Sequence, residues 1–143
     1  MRRMNDGQAF LCLCIFAAAV LAWGCEGGEA REVGKPDPRV ADLCAAIGGD
    51  WGAYGREQHR AGNLRVVPDA IMQARIEAQK LGWLDGFTFI DAGVVWLSES
   101  LWERRDPERC AAVLLHELAH LRLHTLDEAK CDKVVSDWRA NRG

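Results

Sequence analysis

His116 and His120 stand four residues apart in the run VLLHELAHLRLH, with Glu117 directly after the first of them. On a helix, residues four apart share a face, so both imidazoles can offer a nitrogen to one metal ion. Glu117 then sits beside the ion without being needed as a ligand. Zinc in such a place polarises a carbonyl and brings the pKa of water down to about 7, while a neighbouring carboxylate, here Glu117, moves the proton as catalytic base. The plain alternative is an amphipathic helix whose histidines face solvent. The setting weighs against it: Leu114, Leu118, Ala119 and Leu121 keep the motif uncharged, a pattern that Arg122 interrupts.

A catalytic zinc site uses three protein ligands and keeps one position open. Three residues are candidates for the third. His124 continues the four-residue series, but it lies about 6 Å beyond His120 along the axis, too far to share an ion with both histidines unless the helix breaks. Asp127 serves if the following turn is tight. Glu128 is the first choice: in DEAKCD it stands near the start of the next helix, with Asp132 four residues on, on the same face. Asp132 can accept the other N–H of a zinc-bound histidine and so set its tautomer. Tyr54, His59, Arg122 and His124 are candidates to stabilise the oxyanion of a tetrahedral intermediate, His124 first because it is nearest in sequence.

The elements that must position these residues can be read from local signals. Asp106-Pro107 is an N-cap followed by proline at the first helical position, launching a helix through the motif. A further helix follows over about 126–139. Before the motif, FTFI and VVWLSES flank Asp91-Ala92-Gly93, a hairpin over about 87–99. A peptide substrate would lie extended along the strand 94–98, adding to its edge. Asp37-Pro38 starts a first helix that Gly48-Gly49 stops near Ile47. Residues 50–63, rich in glycine and polar groups, read as a loop. A second helix, DAIMQARIEAQKL, starts at Asp69 and ends at Gly82. Two N-terminal helices, a small sheet and two C-terminal helices make an α+β domain.

HELAH followed by EAKCD resembles the HExxH…ExxxD signature of gluzincin zinc metallopeptidases, among them the heat-shock membrane protease and prenyl-protein endopeptidase group and the minimal soluble gluzincins. The lead-in GVVWLSESLWERRDPERC is similar to that group as well, and the resemblance covers residues 93–132. It implies a zincin-like fold and hydrolysis of peptide bonds. It also implies His116, His120 and Glu128 as zinc ligands, Glu117 as catalytic base and Asp132 as support for a ligand. Only seven residues separate His120 from Glu128. Membrane members of the group insert a long segment there. The short spacing is that of the small soluble members and of the related phage-repressor-cleaving proteases.

The chain has 143 residues with a formal net charge of -3 and no basic run longer than two, which gives nucleic acid no footprint. Residues 1–24 read as a signal peptide: Arg2 and Arg3 precede the apolar run AFLCLCIFAAAVLAW, which is shorter than the roughly 20 residues of a membrane span. LAWGC resembles a lipoprotein lipobox, although Ala22 and Trp23 depart from the pattern. The resemblance implies lipidation of Cys25, a membrane contact through the lipid, and, with Glu26 next, an outer-membrane address facing the periplasm. Residues 25–36 read as a flexible tether and 37–143 as the folded domain. Cys44 is expected to pair with Cys110 or Cys131, since an exported domain can form disulfides. Trp83, Trp96 and Trp138 are read as core residues rather than a sugar platform. The rival from another class is an exported zinc-binding module without turnover, chaperone-like or partner-binding. A structural lipoprotein without metal is the third reading.

Overall fold

The computed structural model describes residues 28–78 and 84–142. Three short strands form the sheet: β1 (Leu64–Val67), β2 (Gly86–Phe89) and β3 (Val94–Ser98). Their order is β1-β3-β2, with β1 parallel and β2 antiparallel to β3. Successive side chains on a strand point to opposite faces, and here both faces are covered. Leu64, Val66, Val95 and Leu97 belong to one apolar cluster, and Val67, Val94 and Trp96 to another.

Seven helices surround this sheet among the described residues: α1 (Gly28–Glu32), α2 (Pro38–Ile47), α3 (Gly49–Arg60), α4 (Asp69–Ala78), α5 (Leu101–Arg104), α6 (Pro107–Leu123) and α7 (Glu128–Arg142). The chain is thus a small α+β domain. The first cluster lies under α2 and α6, through Val40, Leu43, Leu114, Leu115 and Leu118; the second holds Met72 and Ile76 of α4. Both predicted caps are in place. Asp37 accepts from the Arg39 amide and Asp106 from the Arg109 amide at 2.9 Å, each cap being worth about 1 kcal/mol.

The structure corrects four expectations and adds one strand. Residues 50–63 are largely helix, not loop. The glycines of α3 serve close packing: a Cβ at Gly52 would stand 2.5 Å from the Cys44 carbonyl oxygen, and one at Gly55 would stand 2.8 Å from Cys44 Sγ. Residues 64–67 form a strand too short for a periodic signal. Val94–Ser98 is the centre of the sheet and not an edge, because β1 and β2 pair with it on either side. The edge nearest the motif is β2. Residues 28–36 of the expected tether are folded onto the domain. Ala30 is buried, its carbonyl accepts from Trp96 Nε1 at 2.8 Å, and Lys35 bridges to Val66. Finally, Cys44, Cys110 and Cys131 are all free and buried. Each packs in its own surroundings: Cys44 against Gly55 of α3, Cys110 donating to the Leu101 and Arg105 carbonyls, and Cys131 on the buried side of α7.

Trp96 is 2% exposed, and Trp138 packs on the first cluster while donating to the Ile47 carbonyl. The signal peptide, Cys25 and Trp83 lie outside the described residues.

Candidate metal centre

Helix α6 is held down by its apolar face, with Leu114, Leu115, Leu118 and Ala119 fully buried. This leaves His116, Glu117 and His120 on the flank that meets β2 and α7. The helix stops sharply. His124 adopts the left-handed conformation (φ 50°, ψ 50°), and its amide donates to the His120 carbonyl. Glycine usually fills that position, since a side chain there costs roughly 1 kcal/mol. The reversal sends the chain back along α6. Asp127 then caps α7, its Oδ1 accepting from the Ala129 and Lys130 amides at 3.0 and 3.3 Å. With Asp127 so engaged, Glu128 in the first turn is the carboxylate that reaches the histidines.

The distances define a closed triangle. His116 Nε2 lies 2.7 Å from Glu128 Oε2, His120 Nε2 lies 3.2 Å from Glu128 Oε1, and the two Nε2 atoms are 3.1 Å apart. Tetrahedral ligands at about 2.1 Å from zinc would stand about 3.4 Å apart. Opening the sides of the triangle by about 0.2–0.7 Å therefore suits an ion.

The outer nitrogens decide what the triangle contains. His120 Nδ1 is 2.7 Å from the Thr125 carbonyl oxygen, which can only accept, so Nδ1 carries the proton. His116 Nδ1 is 3.0 Å from Asp132 Oδ1, a carboxylate that likewise only accepts when ionised. In neutral rings both Nε2 atoms are then bare lone pairs. Two lone pairs and a carboxylate converge on one point with no donor among them. Three acceptors placed so close repel unless a cation or a proton joins them. His116, His120 and Glu128 could accordingly hold a metal ion.

Glu117 faces the sheet rather than the triangle's third corner. Thr88 of β2 puts its hydroxyl 2.5 Å from Glu117 Oε2 and 3.1 Å from the Glu117 carbonyl oxygen. Gly86, two residues earlier on the same face of β2, leaves the space that the Glu117 side chain fills: a Cβ there would come within 2.8 Å of Glu117 Cγ. Burial raises the Glu117 carboxyl above its usual range, and the Thr88 bond and both histidines oppose that rise. The start of β2 is pinned in turn. Asp85, with a side chain only 4% exposed, receives Arg104 at 2.5 Å and Arg105 at 2.8 Å, both from the segment that ends α5.

No known protein family, curated protein or solved structure matches this chain.

The structure thus brings His116, Glu117, His120, Glu128 and Asp132 together. It places the oxyanion candidates elsewhere. The His124 imidazole is exposed, 3.8 Å from Asp91. Arg122 lies over the Trp51 and Tyr54 rings, and His59 meets the Asp37 carbonyl oxygen at 3.1 Å. Sequence reasoning missed Thr88, Gly86 and Asp85. The alternation of Gly86 and Thr88 against Phe87 and Phe89 in GFTF was available as a two-faced strand. What the spacing lacked was any sign that its small face meets Glu117.

Proposed function

We propose that this chain is an exported, lipid-anchored zinc metallopeptidase of the gluzincin kind. Its ligands would be His116, His120 and Glu128, and it would hydrolyse peptide bonds in peptide or protein substrates. The observation that carries the reading is the convergence of His116, His120 and Glu128 at one point, with a further carboxylate, Glu117, next to them and engaged by a different element. Bound zinc would supply Lewis acidity, which polarises a carbonyl and makes water a nucleophile near neutral pH.

The rest of the work falls to the chain's own groups. Asp132 and the Thr125 carbonyl hold His116 and His120 in the tautomer that exposes Nε2. Glu117 takes a proton from the attacking water at its carboxylate and returns it to the leaving amine. Thr88 holds that carboxylate in one orientation by donating to Oε2. A substrate in extended form would add to the edge of β2 away from β3, beside Gly86 and Thr88, where main-chain hydrogen bonds supply register. The lipid anchor rests on the LAWGC leader and Cys25.

The test is Glu117→Gln in the full-length chain. Zinc content and melting temperature should stay as in the wild type, and casein hydrolysis should fall by at least about 10²-fold, the low end of general acid–base contributions. Zinc bound with no hydrolysis by either form would favour the binding module without turnover. Undiminished hydrolysis by the variant would reject Glu117 as the base.

A further inference from the structure

A pocket of about 370 Å³ opens beside His116 and Glu117, with residues 84–86 along one side. Two helix faces make its walls. On α6, Arg109, Val113 and His116 recur at helical spacing, and on α7 so do Asp132, Val135 and Arg139. Each wall therefore runs from the candidate metal centre at one end to an arginine at the other. Seven residues of helix put each arginine about 10 Å from its end of the centre.

The charges in the pocket are divided unevenly. Its carboxylates are already engaged: Asp85 by Arg104 and Arg105, Asp132 by His116 at 3.0 Å, and Glu117 by Thr88. The two distal arginines are held loosely. Arg109 Nε stands 3.6 Å from Asp106, and Arg139 Nε stands 3.8 Å from Glu108, both beyond hydrogen-bond length. Both side chains are about half exposed or more, at 64% and 48%. A guanidinium offers a planar fork of N–H donors that matches a carboxylate. The net charge of -3 gives the whole protein no pull on acidic peptides, so this selectivity has to be local.

We propose that Arg109 and Arg139 form a subsite for a peptide carboxylate. The inference rests on the peptidase reading and names its substrate class. An extended residue spans about 3.3 Å, so a distance of about 10 Å places the recognised carboxylate within about three residues of the bond that is cut. That group is either an Asp or Glu side chain or the free C-terminus of a short leaving segment.

The test measures binding apart from turnover. Fluorescein-labelled Ala-Ala-Ala-Glu-Ala-Ala is titrated into the zinc-loaded, full-length Glu117→Gln protein and followed by polarisation. Its Gln-substituted and C-terminally amidated forms are compared with it. One of the two changes should weaken binding about fivefold or more, and which one does so identifies the source of the carboxylate. Adding Arg109→Glu and Arg139→Glu should remove that difference and favour a Lys-containing peptide instead. If the double variant loses its melting transition, Arg109→Gln and Arg139→Gln singly should each reduce the difference. Equal binding of all three peptides, or measurable binding of none, overturns the proposal. Carboxylate-selective binding by a protein whose wild type never cleaves casein would reject the peptidase reading and leave the subsite standing. Cleavage sites from wild-type digests without acidic or C-terminal preference would reject the subsite alone.

Discussion

Replacing Gly86 with alanine should impair hydrolysis without removing the metal. The new Cβ would stand 2.8 Å from Glu117 Cγ and 3.3 Å from both Cδ and Oε1. Unstrained carbon contacts lie at about 3.5–4.0 Å, so Cγ has to retreat by about 0.7–1.2 Å. The Thr88 hydroxyl, 2.5 Å from Oε2, cannot follow without moving β2, whose start is tied down through Asp85. The retreat therefore turns the carboxylate away from its hydrogen bond. A displacement of about 1 Å in a reacting group can cost about 10²-fold in rate. Gly86 is not in the left-handed region, so alanine meets no backbone penalty there. The stability cost should stay near the low end of overpacking, about 1 kcal/mol, because an unbranched side chain takes up the strain. The assay is kcat/KM on casein alongside zinc content and Tm. Activity within about twofold of wild type, with zinc and Tm unchanged, would show that the Glu117 position against β2 is irrelevant to the chemistry.

Thr88→Val should lower kcat by about tenfold with zinc retained, and Thr88→Ser should restore most of it, since a hydrogen bond to a charged group contributes about 1.5–3 kcal/mol; equal rates for Val and Ser would remove Thr88 from the mechanism. Glu128→Ala should lose zinc, as measured by atomic absorption, while Asp127→Ala should keep it and lower stability by about 1 kcal/mol through the lost cap; the reverse pattern would exchange their roles. Burial pushes the Cys44 and Cys131 thiols up to about 11. At pH 8, three units below, both are almost wholly protonated, so iodoacetamide should label neither in the folded chain and both in denaturant, as peptide mapping would show. Labelling of Cys44 in the native protein would contradict its burial behind Gly55.

The parts of the fold that announced themselves did so through punctuation. Asp37-Pro38 and Asp106-Pro107 mark helix starts because aspartate caps and proline fits the first turn, and both helices begin there. The β2–β3 hairpin followed from two β-rich runs around Gly93. Helix α3 did not, because its glycines argue locally for a loop. Gly52 and Gly55 are there to let α3 approach Cys44 of α2, and Gly55 also to admit Leu118 of α6, which only tertiary contact reveals. The edge assignment failed for a related reason. Strand order is a property of the whole sheet, and β1, four residues interrupted by Arg65, gave no sign that it would cover one side of β3. In the candidate site, His116, Glu117 and His120 were legible from one helical period. Glu128 and Asp132 followed from the next helix. Thr88 and Gly86 lie about thirty positions upstream, and no local rule links them to the motif.

The tight reversal at His124 has a consequence for the whole molecule. His116, His120 and Glu128 fall within a single helical hairpin, and the backbone turn already brings them together. Loop-closure entropy grows only with the logarithm of the chain enclosed, about 0.6 kcal/mol for each doubling. An ion, unlike a covalent cross-link, does not persist across this segment in the unfolded chain and leaves that chain's freedom unchanged. An ion bound here would stabilise the fold by mass action, according to its concentration and affinity, and not by stapling remote parts of the sequence. Chelation should therefore loosen one corner of the protein reversibly. The long-range ties between this hairpin and the rest are the packing of Leu114, Leu115 and Leu118 into the first cluster, the Trp138 bond to the Ile47 carbonyl and the contact of Glu117 with the small-residue face of β2, so the apolar core and the sheet, more than any metal, keep the centre joined to the body of the domain.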